Sequence, residues 1–488
     1  MSRALPLPPG HRRQGGDFCK NRKRKSGQEP AADLINGLPD DTLENMLSSL
    51  AIQDAAATSS VSGRSGKEGS VLIFGDQNIF VEENSDDATS TECNDKASRS
   101  SRADEFIDRV NDWFLRHEGT GVQVFEVHSD LNSTHAAHLD KWVQLASKSD
   151  AQCVRLHLCQ NGISCSGHSV TASPYSFPLH CFVDGQGSSL QKLCLTNCIF
   201  GPLMNSSSFS SLLSLSLARV TIADSIQYIL SCCPVLRFFR LGSCNGLVNI
   251  RISSETLLHL DISHCKKLAS IEIHSTSLVF FEYDGQKVHI KYACTPNIRR
   301  LVTKFSNRNC SLYKHLNKMK LIEKVTLTFL SPSKEPNFKL YAKKFPVLKF
   351  VNLYILPSWN NVLAVAYLLQ ATPCVKRLRL EMQACHGEHH ILDNIQVSWP
   401  ESISLQKLRA IVVGGFAAQP PLMELLAHLM RAATGLKFLQ INPYHHLCQG
   451  MGKWVRAHGD KAARDHARNA ARETIGPKLP SSVKLAIK

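Results

Sequence analysis

The feature that most constrains this 488-residue chain is a spacing, L-x-x-L-x-L with apolar substitutions, that recurs twelve times. It runs CVRLHL (153–158), LQKLCL (190–195), LLSLSL (212–217), LRFFRL (236–241), LLHLDI (257–262), LVFFEY (278–283), IRRLVT (298–303), IEKVTL (322–327), LKFVNL (348–353), VKRLRL (375–380), LQKLRA (405–410) and LKFLQI (436–441). From 190 to 298 the steps are 20 to 24 residues, and later ones grow to 31. Each unit offers a short strand whose alternate residues are apolar. One unit cannot bury that face alone, whereas stacked units bury a continuous core.

The segments between the strands read as helices. IADSIQYILSCC (222–233) places Ile222, Ile226, Ile229 and Leu230 on one face, and NVLAVAYLLQ (361–370) and PLMELLAHLMRAA (421–433) do the same. Proline in CPVL (233–236), FPVL (345–348) and TPCV (372–375) ends each return before the next strand. Asn161, Cys198, Cys244 and Cys265 occupy the position that closes the motif, where a buried side chain bonds to the turn backbone. The seventeen cysteines, an odd number lying beside leucines, read as small buried hydrophobes in a reducing compartment.

This is the leucine-rich-repeat pattern. The expected fold class is α/β, a curved horseshoe solenoid preceded by a short, incomplete helical unit. With neighbouring strands about 4.8 Å apart, the array is on the order of 50 Å long.

Five regions are expected. Residues 1–30 are a disordered basic N-terminus, 31–62 a helical pair, 63–104 a flexible linker, 105–450 the repeat array, and 451–488 a basic C-terminal tail. Within the linker, VLIFGDQNIF (71–80) is an apolar island, either a strand pair turning at Gly75–Asp76 or a segment with no good packing partner. Phe106, Val110, Trp113 and Phe114 mark one helix face, VQVFEV (122–127) alternates like a strand, and Leu139, Trp142, Val143 and Ala146 mark a second helix. The tail GDKAARDHARNAARETIGPK (459–478) reads as a solvated helix, with a phosphate-binding helix as the alternative.

The net charge of +15 raises nucleic acid as a partner. Part of the excess sits in the two terminal segments, and no stacking-aromatic RNA motif or zinc-finger spacing accompanies it, so specific recognition is not expected. NRKRK (21–25) is either a nuclear import signal or a solvated basic run; the expected location is the nucleus and/or the cytoplasm. No run of eighteen apolar residues suggests a membrane span, and MSRALPLPPGHRRQ lacks the apolar centre of a secretory signal.

DLINGLPDDTLENMLSSLAIQDAAATSS (33–60) resembles the start of an F-box. With the repeats that follow, the chain is similar to the F-box/leucine-rich-repeat proteins of plants, and residues 405–443 resemble their FBD-type C-terminal region. The resemblance implies a non-enzymatic subunit of an SCF-type cullin-RING ubiquitin ligase. Its F-box docks on a Skp-type adaptor, which brings the cullin and RING subunits, and its repeats hold an unknown target protein. By residue match the adaptor-facing positions are Leu38, Pro39, Leu43, Leu47, Leu50, Ile52, Ala55 and Val61. The chain departs from the family where a third helix with a Ser-Arg-Arg-Trp core is expected. Gly63 stands at the first Arg, Arg64 matches the second, and Ser65 replaces Trp. Two alternatives therefore stand beside the ligase reading: a repeat scaffold uncoupled from ubiquitination, and a basic nucleic-acid-associated protein with steeply salt-dependent binding.

Target recognition is assigned to strand residues between the core positions: Arg237, Arg240, His259, Asp261, Glu282, Lys349, Asn352, Lys376, Arg377 and Arg379. No catalytic residue, metal site or cofactor is expected. CHGEHH (385–390) has histidines but neither H-E-x-x-H spacing nor a CxxC partner, and reads as an exposed loop. Walker, dinucleotide-binding and nucleophile-elbow motifs are missing.

Overall fold

Strands form wherever the repeat spacing places alternating apolar residues. A computed structural model of the chain describes residues 70–75, 96–116, 122–158, 173–182, 189–202, 209–286, 288–305, 319, 321–329, 345–382, 399–400, 403–444, 446–448, 454–456 and 461–488. Fifteen strands make one sheet in strict chain order, every neighbouring pair parallel. They are β1 (Ser70–Gly75), β2 (Val122–His128), β3 (Cys153–His157), β4 (Lys192–Thr196), β5 (Ser214–Ala218), β6 (Phe238–Gly242), β7 (His259–Ser263), β8 (Phe280–Gly285), β9 (Arg300–Phe305), β10 (Lys324–Phe329), β11 (Phe350–Ile355), β12 (Arg377–Met382), β13 (Ala410–Gly414), β14 (Phe438–Asn442) and β15 (Lys484–Ile487). The twelve motifs supply β3 to β14.

The register aligns like positions of successive repeats. Phe125, Val154, Leu193, Leu215, Phe239, Leu260 and Phe281 lie side by side on β2 to β8. Two residues further on, Val127, Leu156, Leu195, Leu217, Leu241, Ile262 and Tyr283 form a parallel row. All are buried in one core.

Four successive turns out of the sheet are each made by a residue in the left-handed conformation. Asn197, Arg219, Ser243 and His264, with φ between 52° and 60°, each follow a strand directly. Their N–H groups donate to Ala218 O, Gly242 O, Ser263 O and Asp284 O of the next repeat at 2.6–3.0 Å, carrying the ladder one residue past the strand. The chain then turns inward, which buries Cys198, Val220, Cys244 and Cys265. The thiols donate to the carbonyl two residues back, at the strand end: Cys198 Sγ to Thr196 O at 3.4 Å, Cys244 Sγ to Gly242 O at 3.6 Å and Cys265 Sγ to Ser263 O at 3.6 Å, with Cys244 Sγ also 3.3 Å from Leu217 O of the preceding strand. Ten cysteines among the described residues are free thiols.

Helices α1 (Lys96–Arg116) and α2 (Ala136–Lys148) cover the first repeats, α3 (Ile226–Cys232), α4 (Trp359–Gln370) and α5 (Pro420–Ala432) are return segments, and α6 (Lys461–Thr474) lies near the end. The expected faces are the buried ones: Phe106 and Val110 on α1, and Leu139, Trp142, Val143 and Ala146 on α2. Ser225 and Ser358 cap α3 and α4 by accepting from Tyr228 N and Asn361 N, while α5 begins on Pro420 and Pro421. Where the return sequence alternates with period two, as in NIRIS, SIEIH and HIKYAC, it forms strands 249–253, 270–274 and 289–294 of a second parallel sheet.

Two expected boundaries move. Residues 63–104 are not one linker, because Ser70–Gly75 is the edge strand of the main sheet and α1 starts at Lys96. The apolar island has a partner: β1 pairs in parallel with β2, and Phe74 packs on Trp113 and Phe125 at centroid distances of 5.7 and 6.2 Å, while residues 76–80 lie outside the described residues. Residues 451–488 are not a tail, because β15 pairs with β14 and Ala467, Ala471 and Ile475 are buried in the main core. The solvated-helix reading missed two small apolar residues one turn apart, which mark the packed face. The segments 1–30 and 31–62, the eight adaptor-facing positions, Asn161 and CHGEHH lie outside the described residues.

Candidate binding face

From β3 on, the second and fourth residues of each strand lie in the core and the first, third and fifth stand on the open face; the register carries these rows onto β2. The register arranges them in rows. The first row reads Phe238, His259, Phe280, Arg300, Lys324, Phe350 and Arg377 across β6 to β12. The second contains Glu126, Arg155, Cys194, Ser216, Arg240, Asp261 and Glu282, and further on Asn352 and Arg379.

Of the residues assigned to target recognition, His259 and Arg377 fall in the first row, and Arg240, Asp261, Glu282, Asn352 and Arg379 in the second. Arg237, Lys349 and Lys376 stand one residue before their strands, at the edge of the face. The fold brings some of them together. Arg240 Nε donates to Asp261 Oδ2 at 2.8 Å. Asn352 Nδ2 donates to Thr326 Oγ1 at 3.2 Å, Arg379 Nε to Glu381 Oε1 at 2.6 Å, and Lys349 Nζ to Glu323 Oε2 at 3.0 Å. Arg237 and Lys349 do not meet, since four strands lie between β6 and β11. Asp261 and Glu282 are only 5% and 2% exposed, so they support the face from below.

Three aromatic residues of the face were missed. Phe238 and Phe350 are 45% and 40% exposed, and Phe280 stands beside His259 with ring centroids 4.1 Å apart. His259 is held between Phe238 and Phe280, its Nε2 buried with no hydrogen-bond partner among the described residues. Burial first, and then the charges of Arg240 and Arg300, push its imidazole down to about 4. The signal was positional: the third residue of L-x-x-L-x-L faces outward whatever its polarity.

A second cluster occupies the same face on β2 to β4. Arg155 Nη1 donates to Glu126 Oε2 at 2.6 Å, and His128 Nε2 contacts the other carboxylate oxygen. His157 stacks on His128, and its Nδ1 meets Thr196 Oγ1 at 3.2 Å. Burial pushes the Glu126 carboxyl up, but the hydrogen bond from His128 and the charge and hydrogen bond of Arg155 outweigh it and hold the group at about 2. His157 is pushed down to about 4, by burial and then by His128.

A one-strand-per-repeat parallel sheet, aliphatic inside and variable outside, defines a leucine-rich-repeat solenoid, a protein-interaction fold. Residues 114–488, well over half of the chain, match the family described as At1g61320/AtMIF1, LRR domain, and the chain belongs to that family. It is also similar to the F-box/FBD/LRR-repeat protein At1g13570 of Arabidopsis thaliana, with 27% identity over 235 residues, 48% of this chain and 49% of the relative. The chain thus spans about half the length of the curated relative it matches. The resemblance to plant F-box/leucine-rich-repeat proteins read from the sequence therefore holds.

Proposed function

We propose that this chain is the target-recruiting subunit of an SCF-type cullin-RING ubiquitin ligase, acting without catalytic residues of its own in the nucleus and/or cytoplasm. The observation that carries the reading is the F-box-like stretch at 33–60 placed ahead of a repeat array whose relative is named an F-box/FBD/LRR-repeat protein. Leu38, Pro39, Leu43, Leu47, Leu50, Ile52, Ala55 and Val61 dock on a Skp-type adaptor. The target protein lies on the open face. There Phe238, Phe280 and Phe350 supply apolar anchor area, and Arg300, Lys324 and Arg377 in the same row favour an acidic surface.

The substitution of Gly63 and Ser65 for the family's Arg and Trp favours one rival, a repeat scaffold that no longer engages the adaptor. Calorimetric titration of a Skp-type adaptor into the full-length chain separates the two. Binding that is lost in a Leu47→Asp, Leu50→Asp variant supports the ligase reading. A folded chain that leaves the adaptor unbound sinks it.

A further inference from the structure

Glu126 and His128 stand two residues apart on β2, so both project from the open face. His157 is the register partner of His128 on β3. The two imidazoles stack with centroids 4.4 Å apart and planes inclined by 22°. One ligand atom from each of the three residues lies within 4.8 Å of the other two. Imidazole nitrogen and carboxylate oxygen bind a divalent transition metal at about 2.0–2.2 Å, so three such atoms around one ion stand about 3–3.5 Å apart. Metal binding requires the three side chains to close from within 4.8 Å to that spacing.

We propose that Glu126, His128 and His157 form a binding site for a divalent transition metal, zinc above all, with water completing the coordination. Two nitrogens and one oxygen are a zinc-type set; magnesium and calcium call for oxygen donors. The surroundings have the features of a supported site. Arg155 engages Glu126 Oε2, so the carboxylate ligand is Oε1, whose contact with His128 Nε2 gives way when both atoms bind the ion. The Thr196 hydroxyl contacts His157 Nδ1, which orients the ring with Nε2 as its remaining donor, as outer hydrogen bonds do at metal-bound histidines. The Arg155 charge offsets that of Glu126, which weakens binding relative to a four-ligand structural site. A bound ion ties β2 to β3 and adds positive charge at the N-terminal end of the open face.

The test is a calorimetric zinc titration of the tag-free full-length chain, repeated with magnesium. The chain has 21 histidines, among them those of CHGEHH, so location must be read from variants. The expected result is one-to-one zinc binding, weakened about 10–100-fold in His128→Gln and in His157→Gln. A His389→Gln, His390→Gln variant should bind as the parent does, and magnesium should give no heat. The proposal is overturned if zinc binds equally well to His128→Gln and His157→Gln, if binding is lost with the 389/390 variant, or if the parent binds no zinc. Should a variant misfold by circular dichroism, the parent chain still decides. Zinc should shield His128 and His157 from acylation by diethyl pyrocarbonate, read residue by residue by mass spectrometry, and unchanged acylation of both refutes the site.

Discussion

Arg240 Nε and Asp261 Oδ2 lie 2.8 Å apart on neighbouring strands, 21 residues apart in the chain, and the Asp261 side chain is 8% exposed. The pair joins two repeats on the open face, where one partner is half-exposed and the other is not.

That asymmetry predicts the energetics. Arg240→Ala should destabilise the chain by about 1–3 kcal/mol, chiefly by stripping a buried carboxylate of a charged partner. Asp261→Ala in that background should restore part of the loss, because the Asp261 carboxylate is then no longer buried without its Arg240 partner. Urea unfolding of both single variants and the double variant checks this. Strictly additive losses would show that the two side chains are not coupled.

The turn at Asn197 gives a second prediction. Its φ of 60° suits asparagine better than most residues, and Nδ2 donates to Leu158 O at 3.0 Å. Asn197→Val should cost about 2–4 kcal/mol, from left-handed backbone strain on a β-branched residue together with the lost hydrogen bond. Asn197→Gly keeps the conformation and loses only the bond, so its cost should stay near 1 kcal/mol. Equal unfolding midpoints for the two variants would show that the conformation does not matter there.

These two sites also mark what the sequence made legible. The spacing located β3 to β14 because core strands need leucine-like residues at fixed intervals. It did not locate β1 or β15, since capping strands lack the full motif: VLIF and KLAI each supply one strand without a periodic neighbour. On the open face, polar residues between core positions were legible, but Phe238, Phe280 and Phe350 were passed over, although their place in the motif faces outward. The histidine cluster was out of reach for another reason. Parallel register brings His157 to His128 across 29 residues, whereas a metal motif is legible only where its ligands are close in sequence.

His259 predicts a pH effect. Its imidazole sits between Phe238 and Phe280, faces Arg240 and Arg300, and shares its strand with Asp261; its pKa falls from 6.5 to about 4. The native state then binds fewer protons than the unfolded chain between these values. Through this residue stability is lost as pH falls from 6.5 to about 4, and above 6.5 the residue makes no pH-dependent contribution. His259→Phe should therefore lie at a fixed offset from the parent in melting temperature above pH 6.5 and gain on it steadily toward pH 4. Melting curves that stay parallel down to pH 4 would remove His259 as a source of acid sensitivity.

The C-terminal segment gives the last prediction, since it separates a packed cap from a solvated tail. β15 covers the edge of β14, and α6 turns Ala467 and Ala471 into the core, with Ala471 fully buried. Arg468 holds the segment down: Nε donates to Lys488 O at 3.0 Å, and its guanidinium, like that of Arg464, lies over the Tyr444 ring. Terminal repeats need a cap of this kind, because an open edge strand and an uncovered apolar row invite association. Ala471→Arg should destabilise the chain by about 2–4 kcal/mol, through overpacking and burial of an unpaired charge. Glu473→Arg on the exposed side of the same helix should change stability by less than about 0.5 kcal/mol. Ala471→Arg should also promote self-association, read by light scattering at rising concentration, as the cap lifts from β14. A solvated tail would tolerate both substitutions equally and leave the chain monodisperse, so the difference between two positions two residues apart measures whether the helix is packed.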